Sequence, residues 1–412
     1  MTNKINIATL LNLNRGAEIK NRLFKSAMSE QLGTKDHNPG KELPELYKTW
    51  ANGGIGVSVT GNVMVDRNAL GEPRNVVLDN QSNLDLFKAW AEAGTGNNTH
   101  LWMQINHPGK QSPGFLSKVP VAPSAIPLEG GLKSAFNTPR ALTEGEIFTI
   151  IGKFATSAGL AKKAGFTGVQ IHCAHGYLLS QFLSPWHNQR DDDWGGSIDN
   201  RMRMLVEVYR AIRKEVGDDF PVALKLNSAD FRDGGFSFED SKYVAMKMEE
   251  EGMDLIEISG GTYENPNMTG HGASKDMDEK EAYFIGYAEA IRNELNIPLV
   301  VTGGFRSVKA MDSALSTEVT DMIGLARPLA VEPDLPEKLL KDERYVSSFT
   351  RPGTGIKALD MVAMLDITWY EYQLYRMGRG KKANPKQSAW SAVILTFWRM
   401  GAYAFKQRRA RG

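Results

Sequence analysis

His172, His175 and Tyr177 place two imidazoles and a phenol within one short stretch, HCAHGYLLSQFLSPWHNQRDDDWGGS (172–197). Two imidazole N–H groups converging on one point can hold a substrate oxygen and stabilise negative charge developing on it. A neighbouring phenol can donate a proton on the other side of that substrate. Plainer roles compete. His-x-x-His can be a metal pair, but a third ligand would have to come from His107, His187 or a carboxylate, and we expect no metal. Histidines satisfied structurally at a strand end are the other alternative. Cys173 reads as a small buried apolar residue.

Two glycine-bearing segments form a second signal, TGGFR (302–306) and GLARP (324–328). Gly303 and Gly304 let the backbone approach a ligand, and Arg327, after Ala326, can add a charged fork. At the ends of adjacent strands they suit a phosphorylated ligand. Gln104, Asn106 and Lys225 lie in or at the ends of otherwise apolar runs, where polar groups need partners. Gln104 offers a donor and an acceptor to a heterocycle edge. Lys225 can stabilise a negatively charged ring atom, form a buried ion pair with a carboxylate, or act as a Schiff-base lysine.

These residues need elements to hold them. Eight short β-rich runs are expected as strands: 22–28, 55–61, 100–106, 167–173, 221–227, 254–260, 298–303 and 321–326. Several are almost continuously apolar, as strands buried on both faces should be. Helical patterns lie between them. Residues 144–164 carry Ile147, Ile150, Ile151, Phe154, Ala158 and Leu160 at helical spacing, and 199–216 opens with Asp199 as the expected N-cap. Eight strands alternating with helices predict an α/β fold, an eight-stranded (β/α)8 TIM barrel. In such a barrel 172–197 follows the fourth strand at the C-terminal face, where active sites sit. An open doubly wound sheet is the competing layout, but its Gly-rich turn is missing after the first strand. Residues 107–143, rich in Pro, Gly and Ser, form a long excursion of the kind that serves as a lid or binding loop. The expected division is a barrel over 1–345 and a C-terminal helical extension with a basic end over 346–412.

Composition narrows the function. The 412 residues carry 49 Lys+Arg against 48 Asp+Glu, a net charge of +1, which gives no support for a nucleic-acid binder. One cysteine excludes an internal disulfide, a cysteine-ligated iron–sulfur cluster and a Cys-rich zinc site. The N-terminus lacks the pattern of a signal peptide, and no run is long and apolar enough to span a membrane. The expectation is a cytoplasmic protein.

The 172–197 segment resembles the Old Yellow Enzyme family of FMN-dependent ene-reductases. The resemblance continues through KNRLFKSAM (20–28), MQINHPGKQS (103–112), PVAPSAIPL (120–128), PRALTEGEI (139–147), LKLNSADF (224–231), VVTGGFRS (300–307) and GLARPL (324–329), and covers residues 10–345 in order. It implies a barrel that holds FMN at its mouth, with NADPH or NADH as reductant and an electron-poor alkene as oxidant. His172 and His175 would bind the activating oxygen, and Tyr177 would protonate the α-carbon. Gln104 matches the residue at the flavin pyrimidine edge. Lys225 stands where many members have arginine, keeping the charge without the planar fork. Gly303, Gly304, Ala326 and Arg327 match the phosphate segment, and Ala27, Met28 and Gly61 match backbone positions around the isoalloxazine. Ser29 stands where a Thr or Cys commonly tunes the flavin, and its hydroxyl can still donate a hydrogen bond. Glu30 and Gln31 make that side of the pocket more polar.

Two rivals to ene-reduction are a lyase or aldolase using Lys225, and a flavin-binding protein without efficient alkene turnover whose tail serves a partner or membrane. Residues 388–405 place Trp390, Val393, Ile394, Phe397, Trp398, Tyr403 and Phe405 around an apolar helix, and the basic KQRRARG follows. This suits an interfacial helix with Lys406, Arg408, Arg409 and Arg411 facing anionic headgroups. The expectation adopted is packing, on the barrel or on a second copy in a homo-oligomer, because an exposed apolar patch of that size invites aggregation.

Overall fold

The computed structural model describes residues 4–262, 284–347 and 352–395. Eight parallel strands close into a ring: β1 (Leu23–Lys25), β2 (Val57–Val59), β3 (His100–Asn106), β4 (Gly168–Cys173), β5 (Val222–Asn227), β6 (Leu255–Ser259), β7 (Leu299–Thr302) and β8 (Met322–Leu325). Each pairs with the next in chain order, and β8 returns to β1 with Ile323 opposite Leu23. The fold is thus a (β/α)8 barrel and not a doubly wound sheet. Every expected run contains its strand, though most are trimmed at the ends where the chain turns out into a loop.

The helices are α1 (Glu42–Asn52), α2 (Leu84–Gly94), α3 (Glu144–Ala164), α4 (Leu178–Leu183), α5 (Ile198–Val216), α6 (Phe238–Glu250), α7 (Ile285–Arg292), α8 (Val308–Ser316), α9 (Arg327–Val331), α10 (Leu335–Lys341), α11 (Lys357–Val362) and α12 (Leu365–Gly378). The α3 bounds match the expectation. Thr143 and Glu146 form a reciprocal capping box, and Gly165 ends the helix with φ 94°. The start of α5 corrects it. The N-cap is Ser197, whose hydroxyl accepts the Asn200 N–H, and Asp199 sits inside the first turn.

Alternate residues of each strand face the barrel axis. The lower interior is apolar: Phe24, Val57, Trp102, Ala223, Leu255, Val300 and Met322 share one cluster. A short hairpin, Leu11–Asn12 with Glu18–Ile19, adds Leu11, Leu13 and Ile19 to that cluster. His100 Nε2, at the start of β3, lies 2.9 Å from the Glu18 carbonyl, so the hairpin plugs the N-terminal end. One step up, the interior turns polar.

Residues 107–143 contain a short paired segment, Val121–Ala122 beside Arg140–Ala141, and a 3-10 turn at Gly130–Ala135. Lys110 pins this excursion from beneath, with Nζ 3.2 Å from the Ile126 carbonyl and 2.8 Å from His187 Nδ1.

The extension does not stand apart. Trp369, Tyr370, Leu374 and Met377 of α12 are buried in the same core as Leu43, Tyr47 and Trp50 of α1. Residues 389–395 are helical, with Ala389, Ala392 and Val393 buried and Trp390 and Ile394 exposed. Phe397, Trp398, Tyr403, Phe405 and the basic end lie outside the described residues. Among the described residues no helix is long and apolar enough to cross a membrane.

Candidate active site

His172 sits on β4 facing the axis. Its Nδ1 accepts the Ala174 N–H at 3.2 Å, which leaves the ring proton on Nε2. The chain then bends back. His175 and Gly176 both adopt left-handed backbone, φ 60° and 77°. Asn227 Oδ1 accepts the His175 N–H at 3.1 Å, and Gln111 Nε2 donates to its carbonyl at 3.0 Å, so the bend is held from two sides. It sets the His175 ring 5.1 Å from that of His172, and the Tyr177 ring lies 4.8 Å from His172, both edge-to-face. Burial holds both imidazoles well below their usual pKa, with the Lys225 charge acting in the same sense. Both rings are therefore neutral at physiological pH. One detail departs from the expectation: His175 Nε2 is 2.7 Å from the Ser259 hydroxyl, so only its Nδ1 remains for a ligand.

Below this trio a polar layer crosses the barrel. Gln104 Nε2 donates to Gln170 Oε1 at 2.7 Å, and Gln170 Nε2 donates to Glu257 Oε2 at 2.8 Å. Glu257 Oε1 takes Lys225 Nζ at 2.7 Å and the Thr302 hydroxyl at 2.8 Å. Thr302 in turn lies 2.8 Å from Ser26 Oγ. Lys225 is thus the buried ion pair among the alternatives its position allowed. These donors lower the Glu257 pKa against the opposing effect of burial, so its carboxyl is held ionised. Gln170, Glu257, Thr302 and Ser26 were not singled out from the sequence. Their signal was present: a polar residue on the axis-facing register of an apolar strand, as for Gln104 and Lys225.

The register pairs Thr302 with Gly324, which brings Gly303 and Gly304 beside Ala326 and Arg327 at adjacent strand ends. Gly303 and Gly304 have φ 119° and 88°, backbone that side chains rarely adopt. Ala27, Met28 and Ser29 follow β1, and Gly61 follows β2. A Cβ on Gly61 would lie 2.8 Å from the Met28 carbonyl, so the two segments approach only because it is glycine. The Ser29 hydroxyl differs from expectation. It lies between the carboxyls of Glu72 and Glu371, 2.6 Å from each. Cys173 is buried, and burial pushes its thiol pKa far up. Among the described residues no three His, Cys, Asp or Glu side chains gather as a metal-binding group.

The mouth suits FMN. Asn106, above Gln104 on β3, has both amide atoms buried without a hydrogen-bond partner, a costly state unless a polar ligand completes it. A buried cation, a neutral imidazole donor and paired strand-end glycines complete a donor set for a ring system bearing a phosphate.

Residues 11–345 match the NADH:flavin oxidoreductase / NADH oxidase family. The chain is 35% identical over 409 residues to the NADH-dependent flavin oxidoreductase iccE of Talaromyces variabilis, covering 91% of this chain and 99% of that protein. It is 30% identical over 351 residues to the cinnamate reductase of Clostridium sporogenes, covering 79% of this chain and 51% of that longer protein. The Old Yellow Enzyme homologue of Zymomonas mobilis shares the fold, with a TM-score of 0.71 at 24% identity over 84% of this chain and 95% of that one. The chain belongs to the NADH:flavin oxidoreductase / NADH oxidase family. It is an FMN-dependent oxidoreductase that draws on NADH or NADPH.

Proposed function

We propose that this enzyme reduces an electron-poor alkene, one conjugated to a carbonyl or nitro group. FMN, when bound at the mouth, would supply the hydride-transfer chemistry that links the nicotinamide nucleotide to the alkene. The chain's own residues do the rest. His172 presents Nε2–H and His175 presents Nδ1–H to the activating oxygen, drawing charge from the double bond. Because both rings are neutral, they stabilise that charge as hydrogen-bond donors. Tyr177 delivers the proton to the carbon next to the carbonyl. By similarity Gln104 and Lys225 would hold the flavin pyrimidine, with the unpartnered Asn106 amide beside them, Ala27, Met28, Ser29 and Gly61 would line its ring system, and Gly303, Gly304, Ala326 and Arg327 would hold its phosphate.

The observation that carries this reading is the packing of His172, His175 and Tyr177 against one another over the mouth. The likeness to a cinnamate reductase, named for an alkene conjugated to a carboxyl group, supports it. A Schiff-base role for Lys225 is disfavoured, because its Nζ is engaged at 2.7 Å by the buried Glu257 carboxyl and is not free to attack a carbonyl.

The test is anaerobic reoxidation of the reduced enzyme by cyclohexenone. Tyr177→Phe is expected to slow this half-reaction by about 10²-fold or more, the usual range for a lost general acid. Flavin reduction by the nucleotide should survive. Equal loss of both half-reactions with FMN still bound would overturn the role of Tyr177. A wild-type enzyme that is not reoxidised by the alkene would overturn the function.

A further inference from the structure

The extension reaches the barrel mouth through Glu371 of α12. This carboxyl, on a residue 3% exposed, places Oε1 2.6 Å from Ser29 Oγ. Glu72, from the loop after β2, places its own Oε1 2.6 Å from the same oxygen. Gln31 Nε2 donates to both oxygens of Glu371, at 3.0 and 2.9 Å. A serine hydroxyl carries one proton, and an ionised carboxylate only accepts. Ser29 can therefore satisfy one of the two carboxylates. The other must itself be protonated and donate to Ser29 Oγ.

The neighbours decide which. The Gln31 amide stabilises the ionised form of Glu371. The Glu72 carboxyl makes its contact through Oε1, and its Oε2 is enclosed without a partner. The proton belongs on Glu72, the order being Glu72 O–H to Ser29 and Ser29 O–H to Glu371. Burial and then the Glu371 charge act in the same sense, pushing the Glu72 pKa up to about 8.

We propose that Glu72 and Glu371 hold one proton between them across Ser29, and that as positioning residues they commit the Ser29 hydroxyl to the extension, leaving it no proton to donate to FMN. This rests on the proposed placing of Ser29 beside the flavin. The paired carboxyls then place one negative charge on that side of the mouth and leave no donor at the same point, and both disfavour the electron-rich reduced flavin. Loss of the shared proton adds a second charge. Among the described residues, the charged groups beside the pair include Glu30, which accepts from Tyr47 and Gly61 and is acted on by Lys25, and Arg74, bonded to the Gly33 carbonyl.

Two measurements on the holoenzyme test this: the infrared carbonyl band of a buried protonated carboxyl, and the flavin midpoint potential as a function of pH. In wild type the acid band should vanish as pH rises through about 8. It should be absent in Glu72→Gln. Glu371→Gln should shift the midpoint potential upward and flatten its pH dependence over that range. Ser29→Ala, which leaves both carboxyls and the extension's other contacts, should uncouple the two carboxyls and shift the pH range of that dependence. An acid band that persists in Glu72→Gln overturns the shared proton. A band that behaves as expected beside potentials unmoved in Glu371→Gln and Ser29→Ala overturns the positioning role and locates the fault in placing Ser29 beside FMN. The alkene half-reaction reports on ene-reduction independently of either result.

Discussion

A single hydrogen-bond choice at His172 fixes what the site can offer. Because the Ala174 N–H occupies Nδ1, the ring can only donate from Nε2, and it does so uncharged. A phenolate, which mimics the charged oxygen of a reacting enone, should therefore bind through His172 and His175. Replacing both by alanine is expected to weaken phenol binding at least tenfold, read from the charge-transfer absorbance on titration. Unchanged affinity would remove the oxygen-binding role. The types of these residues were legible in the sequence, since His172, His175 and Tyr177 share one strand end. The engagement of His175 with Ser259 was not, because the partner lies 84 positions away on β6. The same holds for Ser29. Its local neighbours gave no sign that a carboxyl from the far end of the chain would claim its hydroxyl.

At the scale of elements, legibility followed how local the signal was. The α3 helix carries its whole specification in 143–165: a capping box, an apolar stripe and a terminal glycine. Its bounds were correct for that reason. Thr143→Ala removes half of the capping box and is expected to cost about 1 kcal/mol. Urea unfolding would show this as a lower midpoint at unchanged slope, and an unchanged midpoint would mean the cap contributes nothing. The α5 start was misread by one cap because Ser197 and Asp199 are both good capping types, and only the geometry of Asn200 chooses between them. The polar layer was half legible. Gln104 and Lys225 stand out one by one, but their connection through Gln170 to Glu257 depends on the stagger of β3 to β6, which no single strand encodes.

For the whole molecule, acid should be the weak side. His107, His172, His175 and His187 are all buried with lowered pKa values, His107 to about 4. Unfolding frees these four to take up protons below their ordinary value near 6.5. Glu30 and Glu72 act in the opposite direction, since the folded protein holds their protons to higher pH than the unfolded chain does. Near pH 6.5, where the unfolded histidines are half protonated, the two effects roughly cancel, and proton uptake by the histidines outgrows the offset as pH falls toward 5, each net proton being worth about 1.4 kcal/mol per pH unit. Stability should thus decline toward pH 8 as Glu72 ionises in the folded protein, and should fall as pH drops from about 6.5 to 5, seen as a falling thermal midpoint. A midpoint that is flat or rises over that range would contradict the assignment of neutral histidines. The hairpin that seals the lower end of the barrel governs traffic as well. With Trp102, Phe24 and the 11–19 hairpin filling that end, the mouth is, among the described residues, the doorway left to the barrel's interior, and nucleotide and oxidant must queue for it. One must leave before the other arrives. Steady-state rates should then follow ping-pong kinetics, with parallel double-reciprocal lines as either substrate is varied against the other.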